Sequence, residues 1–143
     1  MTAKNYEKLV KEASPRSAVV LNSAKAFLVG GGICAVGQVL YGRFEAMGFS
    51  QENAGIMVAG ILIVAAILLT ALRAYDKIAK FAGAGTIVPI TGFANAIAAP
   101  AIEHKKEGLV LGVGAKMFII AGPVIVYGTV TSVIVGLVYY FFG

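Results

Sequence analysis

The chain has 143 residues, of which 59% are hydrophobic and only 13% charged, with a mean hydropathy of +0.86. A soluble domain carries roughly a quarter charged residues, so this composition excludes one and indicates a single all-α, polytopic helical membrane protein. The net charge of +5 does not argue for nucleic acid, because the basic residues stand at the edges of apolar runs, as membrane anchors do.

Residues 1–25 form a basic amphipathic prelude. Tyr6, Leu9, Val10 and Ala13 fall on one helical face, with Lys4, Lys8, Lys11, Glu7 and Glu12 on the polar side. Ser14-Pro15 then ends that helix. The expectation is a helix lying on the membrane surface; docking onto a partner protein is the alternative.

The transmembrane domain is expected over 26–143. Ala26 to Gly42 is uncharged for 17 residues and reads as a retained span. Gly30, Gly31 and Gly32 leave one side nearly free of side chains, which lets another helix approach closely. Gln38 is the polar residue of this run and suits an interhelical hydrogen bond or a path. After a polar loop at 43–52, Asn53 to Leu72 gives 20 uncharged residues without a break, the cleanest span in the chain. The connection at 73–80 is charged, with Asp76 and Lys80 spaced for an i,i+4 ion pair.

Phe81 to Ile102 is long and apolar enough to cross a bilayer, yet its 22 residues include Gly83, Gly85, Gly92, Pro89, Pro100, Thr86, Thr91 and Asn95. Proline removes a backbone donor and glycine weakens helix interiors, so the expectation is a broken or re-entrant segment. The backbone groups freed by such breaks need partners in protein or in a water-lined cavity. A kinked structural helix at a tight interface is the plainer alternative. A second polar cluster, EHKKE, follows at 103–107. Gly108 and Gly112 then form a small-xxx-small pair in a short run, 108–121, that reads as a second half-helix. Gly122-Pro123 marks a kink or boundary, and 123–142 completes a third span ending in an aromatic belt, Tyr139 to Phe142.

Little of the familiar site chemistry is present. Cys34 is the only cysteine and His104 the only histidine, so no metal cluster and no Ser-His-Asp arrangement is expected, and no enzyme and no cofactor. GVGAK at 112–116 lacks the Gly before and the Ser or Thr after its lysine that a phosphate loop needs. No carboxylate lies well inside an apolar run, which argues against a proton-coupled exporter. What remains is a set of cations beside the broken segment: Lys80 before it, Lys105 and Lys106 after it, and Lys116 in the last apolar run. Cationic groups at a pore mouth favour anions, although snorkelling to the interface explains Lys116 equally well. Gly83, Gly85, Pro89, Thr91, Gly92, Asn95, Lys80 and Lys116 are the candidate path residues. The positive-inside rule places the N-terminus and the 73–80 loop in the cytoplasm; a re-entrant 81–102 puts Lys105 and Lys106 there too.

The stretches NSAKAFLVGGGICAVGQ (22–38), YDKIAKFAGAGTIVPITGFANA (75–96) and EGLVLGV (107–113) closely resemble the stage V sporulation protein AC family, within the SpoVA group. The AE (SpoVAE) paralogue shares the glycine-proline core. The resemblance implies a multi-pass protein of the inner membrane of the forespore and spore. It also implies a channel component that loads dipicolinic acid, largely as its calcium chelate, in sporulation and releases it in germination. A mechanosensitive response and association with the SpoVAE and SpoVAD proteins and other SpoVA products are further implications. The family offers no catalytic or settled ligand residues to carry over. A chain of about three spans is too small to enclose a wide conduit, so assembly with itself or the paralogue is expected through Gly30–Gly32 and Gly108/Gly112. A non-conducting structural subunit of the same complex is the other reading.

Overall fold

The computed structural model describes Asn5 and residues 18–142. The amphipathic prelude therefore falls outside the described residues up to position 17. Among the described residues the elements are helices and turns, with no strand. Helix α1 is Val19–Ala46, α2 Gln51–Ala71, α3 Ala74–Ala82, α4 Pro89–Glu103 and α5 Ala115–Phe142. Three helical stretches are long and apolar enough to cross a membrane: Val19–Ala46, Gln51–Ala71 and Leu109–Phe142.

Helix α2 follows its sequence closely. Ser50 caps it, its side chain accepting a hydrogen bond from the Asn53 amide at 3.3 Å, and its 21 residues give a length of about 32 Å. Helix α1 is longer than the 17-residue uncharged run, because Lys25 and Arg43 lie inside it and not at its ends. Long basic side chains lay their stems along apolar surface, so a charge does not stop a helix. Lys25 Nζ sits 5.0 Å above the Phe81 ring, a cation–π contact between α1 and the start of the broken segment.

The break in 81–102 is real and compact. Helix α3 ends at Ala82, Gly83 adopts φ +53°, and a 3₁₀ turn spans Gly83–Thr86. Val88 is extended, and Pro89 opens α4, the position where its missing N–H costs nothing. Two hydrogen bonds hold the turn: the Tyr75 hydroxyl donates to the Thr86 carbonyl at 2.9 Å, and Thr86 Oγ1 donates to the Gly83 carbonyl at 3.0 Å. Arg73 and Asp76, before the segment, line the same cavity as Glu103, Lys105 and Lys106 after it. The two ends of the segment therefore lie close together, and the segment has the shape of a hairpin.

The C-terminal region departs from the sequence reading. A π-helical turn, Leu109–Gly114, runs directly into α5, and Pro123 lies within that helix. The expected half-helix and third span are one continuous rod of 34 residues. The physical reason is that a proline forfeits one hydrogen bond, whereas ending the helix in apolar surroundings strands several backbone groups.

Contact between elements is made mainly by small residues. Ala54, Ala66, Ala82, Ala98, Ala121, Thr86 and Thr91 are buried, together with Val58 and Tyr75, and among the described residues no large side chain is fully enclosed. Without a hydrophobic drive between helices in lipid, close backbone approach supplies the attraction. From Pro123 to Phe142 every residue is exposed, so the distal part of α5 stands apart from the rest of the chain.

Candidate functional site

The hairpin α3–turn–α4 leaves a cavity of about 670 Å³ between its two ends and the top of α2. Arg73, Lys105 and Lys106 bring positive charge to it, Asp76 and Glu103 negative charge, and Thr70 and Asn95 neutral hydrogen-bonding groups. Asp76 is already engaged, since Lys80 Nζ lies 2.8 Å from its carboxylate. That pair is exposed and adds little stability; the Asp76 hydrogen bond and charge raise the Lys80 pKa above its ordinary value. Lys80 thus neutralises one of the two acids, and the vestibule is left cationic.

Arg73 is held there by an unusual backbone. It has φ +56°, the only non-glycine residue in the left-handed region among those described. It occupies the position just after the α2 C-terminus, where glycine is the usual choice because it has no side chain to clash. Its amide donates to the Thr70 carbonyl at 3.0 Å. An arginine at this place accepts backbone strain, and strain of this kind gathers at functional sites.

Thr70 and Asn95 tie α2 to the middle of α4. Thr70 Oγ1 lies 2.7 Å from the Ala66 carbonyl oxygen and 2.8 Å from Asn95 Oδ1. A hydroxyl has one proton and donates to one of these at a time. With the Asn95 amide turned over, its N–H donates to Thr70 and both contacts are satisfied.

Thr91 occupies a different place. It lines an apolar cavity of about 440 Å³ with Gly32, Leu62 and Ala66, on the α1 side of the hairpin. Its Oγ1 is buried without a hydrogen-bond partner, and no side chain caps the α4 N-terminus beside it. Buried polar groups are nearly always paired, so this hydroxyl carries a desolvation cost that no group of the protein offsets.

The remaining sequence-derived candidates are dispersed. Lys80 and Gly83 border a cavity of about 390 Å³ against the start of α1. Pro89 faces an apolar groove between α2 and α4. Gly85 and Gly92 serve packing: a β-carbon at Gly92 would lie 2.7 Å from the Thr86 carbonyl oxygen, and one at Gly85 would strike the α1 backbone. Lys116 is half-buried and contributes to holding Glu107 below the usual carboxylate range, although the principal cause there is the hydrogen bond from His104 at 3.0 Å. Of the eight path candidates, only Asn95 lines the vestibule.

The glycines proposed for assembly also divide. Gly30 packs on Gly85 of its own chain, and Gly112 on the His104–Glu107 turn. Gly108 has φ +94° and serves that turn, while Gly31 and Gly32 have open space where a side chain would sit. Sequence reasoning missed Arg73 and Thr70. Thr70 was legible as the polar residue near the end of α2; the left-handed geometry of Arg73 was not.

Among the described residues no group of histidine, cysteine and acidic side chains is placed to hold a metal ion. No solved structure matches the chain. It is 49% identical over 139 residues to the stage V sporulation protein AC of Bacillus subtilis (strain 168), covering 96% of this chain and 93% of that protein. Residues 22–138 match the pattern of the SpoVAC/SpoVAEB sporulation membrane proteins, and the chain belongs to that family.

Proposed function

We propose that this chain is a subunit of a conduit for dipicolinate, moved largely as its calcium chelate, across the inner membrane of the forespore and spore. The observation that carries the reading is the vestibule: Arg73, Lys105 and Lys106 converge on a cavity whose neutral groups are Thr70 and Asn95. A small planar dianion gains from such a field, which raises its local concentration at the mouth of a path. Half-helices meeting inside the membrane are a recurrent way to build solute sites. The positive-inside rule orients the vestibule toward the cytoplasm or spore core.

The unaccompanied distal half of α5 supports a second reading, in which the chain is a non-conducting scaffold for other SpoVA subunits. Efflux from liposomes decides between them. Vesicles loaded with dipicolinate and a neutral solute of similar size are compared with this chain alone and with the SpoVAE paralogue added, with and without osmotic downshock. The conduit reading expects selective dipicolinate loss that falls several-fold in Lys105→Gln/Lys106→Gln. Equal loss of both solutes only on downshock indicates a tension valve. No loss in any combination supports the scaffold.

A further inference from the structure

A wholly apolar groove of about 700 Å³ lies between α2 and α4. Ala59, Ile63 and Ile67 of α2 form one wall, Phe93, Ala94 and Ile97 of α4 the other, and Met117 closes it from the last helix. No charged or hydrogen-bonding side chain lines it. Ile63, Ile67, Ile90, Phe93 and Ile102 each keep more than a third of their surface uncovered by this chain. Its size is that of an ordinary ligand pocket, and its chemistry is that of a hydrocarbon.

One end of the groove is not neutral. Ile102 lines both the groove and the vestibule, so Lys105 and Lys106 stand beside that end. Two acids are close by: Glu103, which lines the vestibule, and Glu107, which is engaged by His104. Lys105 and Lys106, with Arg73 across the vestibule, outnumber Glu103 and Asp76, and Asp76 is already paired with Lys80, so this end is cationic.

We propose that this groove holds one acyl chain of an anionic glycerophospholipid, with its phosphate on Lys105 and Lys106. Apolar walls ending in basic residues at the membrane surface are complementary to such a lipid, chain and headgroup together. A helix from a second copy of the chain fits less well, because no acid lies inside its apolar runs to answer the lysines. Lys105 and Lys106 serve both the vestibule and this site, but Ala59 and Ala94 line the groove alone, so filling the groove tests the lipid without touching the vestibule.

The test uses the full chain reconstituted into vesicles of equal phosphatidylglycerol and phosphatidylcholine with matched acyl chains. The protein is extracted in mild detergent and its retained lipid is weighed by native mass spectrometry. The wild type is expected to retain phosphatidylglycerol over phosphatidylcholine by roughly thirtyfold, from two lysine–phosphate contacts. Lys105→Gln/Lys106→Gln, both at exposed positions, is expected to remove the preference. Ala94→Phe and, separately, Ala59→Phe fill the groove from opposite walls and are expected to lose bound lipid of both kinds. Equal retention of the two lipids by wild type overturns the proposal. So does unchanged lipid retention in a groove-filled variant that elutes as the wild type does, or a lipid-free dimer that dissociates when the groove is filled.

Discussion

A β-carbon on Gly85 would overlap the carbonyl oxygen of Ala26, closer than real β-carbons approach backbone. The tip of the hairpin is therefore seated directly on α1, and Gly30 faces Gly85 from the same helix. Gly85→Ala must push two backbones apart. We expect a loss of about 3 kcal/mol or more, at the upper end of overpacking costs. Thermal unfolding in detergent checks it, with Gly31→Ala as the control, since nothing lies within 4 Å of that position. Equal midpoints for the two variants would falsify the seating.

Arg73 separates charge from strain. Arg73→Gly relieves the left-handed backbone, worth about 1 kcal/mol, and removes a vestibule cation. The expected result is a protein at least as stable as wild type with slower dipicolinate efflux. Arg73→Lys keeps the charge and the strain, and is expected to retain most of the flux. If Arg73→Gly moves dipicolinate at the wild-type rate, the cation has no part in the path.

Thr91→Val removes the unpartnered hydroxyl and preserves the shape of the side chain. An unsatisfied buried polar group costs about 1–3 kcal/mol, so the variant is expected to unfold at a higher temperature. If the α1-side cavity carries solute or water, the same variant slows efflux. Higher stability with unchanged flux restricts Thr91 to packing.

The turn at 104–107 has a predictable response to acid. The hydrogen bond from His104, opposed by partial burial and aided by the charges of His104 and Lys116, holds the Glu107 carboxyl below its ordinary value. A group with a lowered native pKa stabilises the fold above its unfolded value and loses that contribution as pH falls through the native one. Amide protection at 108–112 is therefore expected to drop as pH falls through and below about 4, the ordinary carboxylate range. Glu107→Gln is expected to lack this step. A drop of the same size in both proteins would place its origin elsewhere.

Much of this architecture was readable from residue order. Uninterrupted apolar runs define the spans around α1 and α2 because a bilayer demands that every backbone group be paired within the helix. Gly83, Pro89 and their neighbours announced the break because no helix interior tolerates them cheaply. The vestibule was half visible: Lys105, Lys106 and Asn95 stood out by type, yet nothing local joined them to Arg73 and Thr70.

Charge, hydropathy and the glycine-proline pattern, read along the chain alone, determined that this is a helical membrane protein with a broken segment between spans. Tertiary packing decided the rest. Whether Pro123 ends a helix depends on the many hydrogen bonds around it, and they outweigh the one it forfeits. Whether Gly30 and Gly112 receive another chain or their own depends on where the hairpin folds back, and both are occupied from within. Which cations share a cavity depends on the two ends of 81–102 emerging together, a distance in space with no counterpart in sequence spacing.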